Sequence, residues 1–135
     1  MPARWVIHCT TVRDKAAGAT GKICAEVYLN PREQSRHWRA QFSFTSVSGQ
    51  PLRRVRARAL YLLVHHAKRV YRARPEVSAT ARVKKLALNS AWVVDNKATG
   101  TLYAVIQHPC LSWKNGGFAC YKGSFRGTVP VWITS

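Results

Sequence analysis

The sequence predicts an α+β domain: an antiparallel sheet of about five to six strands, in the order β-β-β-α-β-β, packed against one long basic amphipathic helix. Three observations carry that expectation. Residues 4–47 read as strands separated by turn residues, the segment from Pro51 to Arg72 places apolar residues at helical spacing, and hairpin-like patterning resumes after Ser90.

Arg4 to Arg13 is rich in β-branched and aromatic residues and reads as a first strand, followed by a small-residue loop from Asp14 to Gly21. Lys22 to Leu29 reads as its hairpin partner, stopped by Asn30-Pro31. From His37 to Val47 the alternation is strict. Trp38, Ala40, Phe42, Phe44 and Ser46 fall on one face, and Arg39, Gln41, Ser43 and Thr45 on the other. Ser48-Gly-Gln-Pro51 breaks this pattern and supplies proline at a helix start.

The expected helix runs from about Pro51 to near Arg72, because Pro75 pushes the preceding backbone out of the α region. At 100° per residue, Leu52, Val55, Ala59, Leu63, His66 and Val70 form an apolar stripe. Arg54, Arg58, Tyr61, His65, Lys68, Arg69 and Arg72 lie opposite. Residues 76–89 lean toward a short helix or an irregular lead-in. Ser90 to Val94 and Thr101 to Gln107 read as a hairpin about the turn 95–100. An aromatic, glycine-punctuated tail closes with a strand from Thr128 to Thr134, which Pro130 marks as a sheet edge.

The chain has 135 residues, 47% of them hydrophobic, which suits one domain spanning 1–135. Trp5, Trp92 and Trp132 sit within apolar runs and are expected in the core. No apolar run is long enough for a membrane-spanning helix, and the first residues lack the apolar core of a secretory signal, so a cytoplasmic protein is expected. In a reducing compartment the default state of Cys9, Cys24, Cys110 and Cys120 is the buried free thiol. The cysteine and histidine spacings fit no zinc motif, so neither a metal nor a cofactor is expected.

Twenty-two Lys and Arg against five Asp and Glu give a formal charge of +17, densest between Arg53 and Arg74. No acidic residue lies between Glu33 and Glu76, so helical Arg residues would lack i,i+4 ion pairs and repel one another. A polyanion relieves that repulsion, and nucleic acid is the expected partner. The candidate phosphate contacts are Arg54, Arg58, Tyr61, Lys68, Arg69 and Arg72 on the helix. Arg36, Trp38 and Arg39 form a second group, and Trp113, Lys114, Phe118, Tyr121, Lys122, Phe125 and Arg126 a third, where aromatic rings beside cations suit stacking on single-stranded DNA or RNA, with Phe118 and Phe125 equally suited to the core.

Other classes fit less well. Two-metal phosphoryl chemistry lacks convergent carboxylates, and no phosphate-cradling loop or nucleophile motif is present. A metal-independent ribonuclease using His8, His37 or His108 is the one enzyme the inventory permits. A ribosomal-type RNA protein, or a cationic adaptor for an acidic protein, are the non-enzyme alternatives. The edge strand at Pro130 and the alternating strand from Trp38 to Thr45 are expected to support pairing across a homodimer.

Overall fold

A computed structural model describes the backbone at residues 3–29, 37–64, 69–89, 93–94 and 100–131, and the side chains at 9–27, 39–61, 73–80, 82–89 and 104–123. Among the described residues there are thirteen strands and no helix. In chain order they are β1 (Ala3–Asp14), β2 (Ala19–Leu29), β3 (His37–Ser46), β4 (Leu52–Arg56), β5 (Ala59–Val64), β6 (Arg69–Arg72) and β7 (Glu76–Val83). Then follow β8 (Lys85–Asn89), β9 (Val93–Val94), β10 (Gly100–Gln107), β11 (Cys110–Trp113), β12 (Phe118–Cys120) and β13 (Ser124–Val131). All pairings are antiparallel.

The first sheet has the order β1-β2-β3-β8, with β9 also on β3. Its opening hairpin and the alternation of β3 are as the sequence predicts. Ile23, Phe44 and Leu86 share one row and Ala25, Phe42 and Leu88 the next, on the face turned to the core. The other layer is read as two four-stranded sheets, β12-β11-β4-β7 and β13-β10-β5-β6. Each strand of the one leads directly in sequence to or from a strand of the other, in matching order: β12 to β13, β10 to β11, β4 to β5, β6 to β7. Four strands thus cross a common crease, and this bent layer packs Leu52, Val55, Leu60, Ala104, Ile106, Leu111 and Trp113 against the first sheet in one core.

The crease has a register explanation. Arg56 opposes Cys110 on one side and Ala59 opposes Gln107 on the other, so the central pair keeps its register while its inward-facing pattern shifts between Ala57 and Leu60. The outer pairs each take up one extra residue there. His108, the one described non-glycine residue with positive φ, at 46°, sits in the crease, as does Gly123 at 97°. His108 N donates to Gly123 O at 2.8 Å, Arg58 N to Gln107 O at 2.8 Å, and Ala57 N to Pro75 O at 2.8 Å, so the backbone stays paired through the bend.

Several expectations are overturned. The α+β plan with a long helix is replaced by an all-β fold, since the segment from Leu52 to Arg72 forms β4, β5 and β6, with residues 65–68 outside the described set. Burial decides against the helical stripe: Ala57 and Leu60, which lie off it, are buried, whereas Ala59 on it is half-buried. On a helix, Arg54 and Arg58 would sit one turn apart at about 5–6 Å between Cβ atoms. In an extended strand they are roughly 13 Å apart, which removes most of that repulsion. Residues 76–89 are strands β7 and β8, not a helix. The hairpin expected between 90–94 and 101–107 is absent from the ladders, because β9 pairs with β3 and β10 with β5 and β13. Strand β3 is paired on both sides, so Trp38 to Thr45 offers no edge for a dimer; β13, with Pro130, is terminal in its sheet order.

The cysteines are not free thiols. Cys9–Cys24 and Cys110–Cys120 are disulfides between directly opposed residues of β1/β2 and β11/β12, each with a Cα–Cα separation of 4.1 Å. Such closely opposed positions in antiparallel ladders bring Cβ atoms within bonding reach. Closing loops of this length stabilises a domain by roughly 2–4 kcal/mol each.

The turns of the two disulfide-linked hairpins are tied together by one carboxylate. Asp14 Oδ2 accepts from Phe118 N at 2.9 Å and Oδ1 from Ala17 N at 3.3 Å, while Asn115 Nδ2 donates to Ala17 O at 3.1 Å. The backbone donors, Phe118 N first and Ala17 N second, hold the Asp14 carboxyl below its usual titration range. A folded-state value lowered in this way contributes stability above the unfolded group's range, and that contribution is lost as pH falls through the lowered value. Asp14→Asn is therefore expected to lower the denaturation midpoint near pH 7, with the gap to the wild type closing in acid. Urea titrations at neutral pH and near pH 3 test this, and a gap that persists unchanged in acid would count against the carboxylate's role.

Candidate nucleic-acid interface

Strand β4 and the two crease residues that follow it carry the central pattern. Arg54-Val55-Arg56-Ala57-Arg58 alternates with period 2, so Val55 and Ala57 are buried while Arg56 and Arg58 are exposed and Arg54 is partly exposed. Three guanidinium groups thus leave the same face of the bent layer, the one turned away from the core. Neighbouring strands extend the face in register. One row reads Phe118, Ser112, Arg54, Ser78, and the next Cys120, Cys110, Arg56, Glu76.

At the crease, Arg58 stands opposite His108 by the register on both sides of it, and Arg74 and Lys122 occupy the adjoining strand junctions. All four side chains are exposed. Gly123 N lies 3.5 Å from His108 Nδ1. Beyond the crease, Arg126, Val105, Tyr61 and Arg72 take one row of register positions. The acidic residue on this face, among the described residues, is Glu76, whose Oε1 lies 3.4 Å from Arg54 Nη1. Both partners are well exposed, so the pair is weak and leaves the face strongly positive. An open groove of about 430 Å³, lined by Arg74, Glu76, Val77 and Ser78, borders the rows at the β7 edge.

The predicted residues separate clearly. Arg54, Arg58 and Tyr61 belong to this face, although a sheet and not a helix assembles it, and Arg72 and Arg126 hold register positions in the row of Tyr61. Arg69 lies in β6, and its side chain is outside the described set, as are those of Arg72, Arg126 and Trp38. Arg36 and Lys68 lie outside the described residues altogether, as do Trp92 and Trp132, and the side chains of Trp5, His8 and His37 are not described. Arg39 is half-buried on β3, in the opposite sheet, and cannot join this face. Lys114 is exposed in the β11–β12 turn and Lys122 at the crease.

Two aromatic assignments are corrected. Trp113 is 1% exposed, packed in the core, and its indole N–H donates to Ser46 Oγ at 3.1 Å, so no base can stack on it. Tyr121 is half-buried and packs against the core. Among the described residues the exposed aromatic ring is that of Phe118, 50% exposed at the end of the Arg54 row. Arg56 and Arg74 are not among the predicted contacts, whereas Phe118 belongs to the tail's aromatic group with a core position as its equal alternative, and the structure leaves it exposed. The strict alternation from Arg54 to Arg58 is the sequence signal that marks Arg56; no local pattern separates the exposed Phe118 from the buried Trp113.

Among the described residues, no three His, Cys, Asp or Glu side chains converge as metal ligands, and no helix is long and apolar enough to cross a membrane. Fold and face together define a disulfide-linked, all-β protein with a cationic sheet surface. Comparison with protein-family models, with curated proteins and with solved structures gives no significant match.

Proposed function

We propose that this protein binds nucleic acid through the outer face of the bent sheet, tolerating many sequences and preferring single strands to duplex. The observation that carries the reading is the alternation Arg54-Val-Arg-Ala-Arg58, which presents Arg54, Arg56 and Arg58 together on a face whose described acid is Glu76 alone. Guanidinium groups give planar, bidentate contacts to phosphate, and their release of counterions drives sequence-independent binding. Exposed Phe118 adds a ring for base stacking next to these cations.

The width of the layer argues for single strands. Four strands about 4.8 Å apart span roughly 14 Å between the outermost backbones. That exceeds the ~12 Å major groove, which admits a helix or a two-stranded ribbon but not a four-stranded sheet. A single strand can lie across the rows instead, with phosphates on Arg56 and Arg58 and bases toward Phe118. The two disulfides support a setting that is not strongly reducing, against the cytoplasmic expectation.

Fluorescence-anisotropy titration against single-stranded DNA, single-stranded RNA and duplex, at several salt concentrations, tests the reading. Salt-steep binding, tighter to single strands, is the expected outcome, with RNA length checked in the same tubes to score the ribonuclease alternative. Binding weaker than about 10⁻⁴ M to every form, below ordinary non-specific contacts, would overturn it and direct the search to acidic proteins.

A further inference from the structure

Each disulfide has one half-exposed cysteine, Cys9 on the terminal strand β1 and Cys110 on β11, and the two bonds differ in the exposure of the second cysteine and in the length of the ladder that holds it. Cys24 is 8% exposed on β2, an interior strand held by β1 and β3, and the β1–β2 ladder runs from Ala3↔Leu29 to Asp14↔Ala19. Cys120 is exposed on β12, a terminal strand held by three pairs, Cys110↔Cys120, Leu111↔Ala119 and Ser112↔Phe118. Cys110 is half-exposed. Arg56 stands directly opposite Cys110, Lys122 follows Cys120 by two residues, and Arg58 opposes His108, two residues before Cys110. Glu76, in the same row, is separated from Cys110 by Arg56.

We propose that Cys110–Cys120 is a site of thiol–disulfide exchange, opened in the folded protein by a small anionic thiol of the glutathione class while Cys9–Cys24 stays closed. The incoming thiolate attacks Sγ of Cys120, the more exposed residue of the pair, forming a mixed disulfide, and the electron pair of the broken S–S bond leaves on Cys110 Sγ. Neighbouring cations stabilise that departing thiolate and concentrate the anionic attacker, the two features that speed exchange. The thiolate takes a proton from water, and His108 O, 3.8 Å from Cys110 Sγ, is placed to accept the resulting S–H. A second glutathione then attacks the external sulfur and frees Cys120. Two thiols are oxidised to one disulfide, and two electrons and two protons end on Cys110 and Cys120.

The hairpin need not unfold when the bond opens. Asp14 holds Phe118 N, Asn115 holds Ala17 O, and Trp113 remains in the core, so the β11–β12 turn stays docked through contacts that do not involve sulfur.

The test is exposure of the oxidised full chain to graded glutathione, quenching with N-ethylmaleimide, and peptide mapping by mass spectrometry, with circular dichroism in parallel. Cys110 and Cys120 are expected to label on the order of tenfold faster than Cys9 and Cys24, with the spectrum unchanged. Arg56→Gln is expected to slow the glutathione reaction severalfold. Equal labelling of both pairs, earlier labelling of Cys9 and Cys24, or labelling only where the folded spectrum is lost would each overturn the proposal. Because the readout contains no nucleic acid, it stands or fails separately from the binding function.

Discussion

Arg56→Ala combined with Arg58→Ala is expected to weaken single-strand binding more than any other pair of surface substitutions, and to flatten its salt dependence. Each phosphate contact to a single strand contributes about 0.7 to the slope of log affinity against log salt, so losing two removes roughly 1.4. The loss should be similar on unrelated sequences, because these residues meet phosphates and not base edges. Both side chains are exposed, so stability should change by no more than about 0.5 kcal/mol. Arg54→Ala serves as an internal comparison: Glu76 already offsets part of that charge, and its slope change should be the smaller. Anisotropy at four or more salt concentrations reads all three variants, and an unchanged slope in the double variant would move the interface off this face.

Trp113→Ala should produce the largest stability loss of any single substitution considered, about 3–5 kcal/mol, which is typical when a buried aromatic residue is truncated. The site cannot easily close over the cavity. Trp113 and Leu111 pack where a Cβ on Gly21 would sit, so β2 already approaches this plug without a side chain of its own. The indole N–H also satisfies Ser46 Oγ, whose residue is 6% exposed. Trp113→Phe keeps most of the ring volume and forfeits that hydrogen bond, for a smaller cost of about 1–3 kcal/mol. Per folded molecule, both variants should bind single strands as the wild type does. Denaturant midpoints and anisotropy measured on the same samples separate the two roles, and a folded Trp113→Phe with much weaker binding would restore Trp113 to the interface.

The contrast between Trp113 and Phe118 shows why the site was only partly legible. Both rings lie in a glycine-punctuated stretch beside lysine, and composition gives them equal standing. Their fates diverge because Trp113 falls on the inward parity of β11 and Phe118 on the outward parity of β12. The same issue decided the basic segment. Leu52 and Val55 fit a helical stripe and a bulged strand equally well, and Leu, Ala and Arg favour helix intrinsically. The alternation from Arg54 to Arg58 was present, but five residues of period 2 are outweighed locally by twenty of approximate period 3.6. Pairing with β11 and β7, whose partner residues lie 20 or more positions downstream, overrode the local preference. The cysteines follow the same rule, since each disulfide depends on the register that sets Cys9 against Cys24 and Cys110 against Cys120.

By itself the sequence determined the single chain-wide excess of positive charge, its concentration between Arg53 and Arg74, the opening hairpin, and the alternation of β3. These are properties of composition and of short-range pattern, which non-local contacts do not alter. The tertiary structure alone decided that the basic segment forms strands bent at the crease between β4 and β5, that Trp113 is a core plug, that Phe118 stays in solvent, and which cysteines meet. Each of those depends on strand register across long stretches of chain, and a shift of one residue would turn every side chain to the other face.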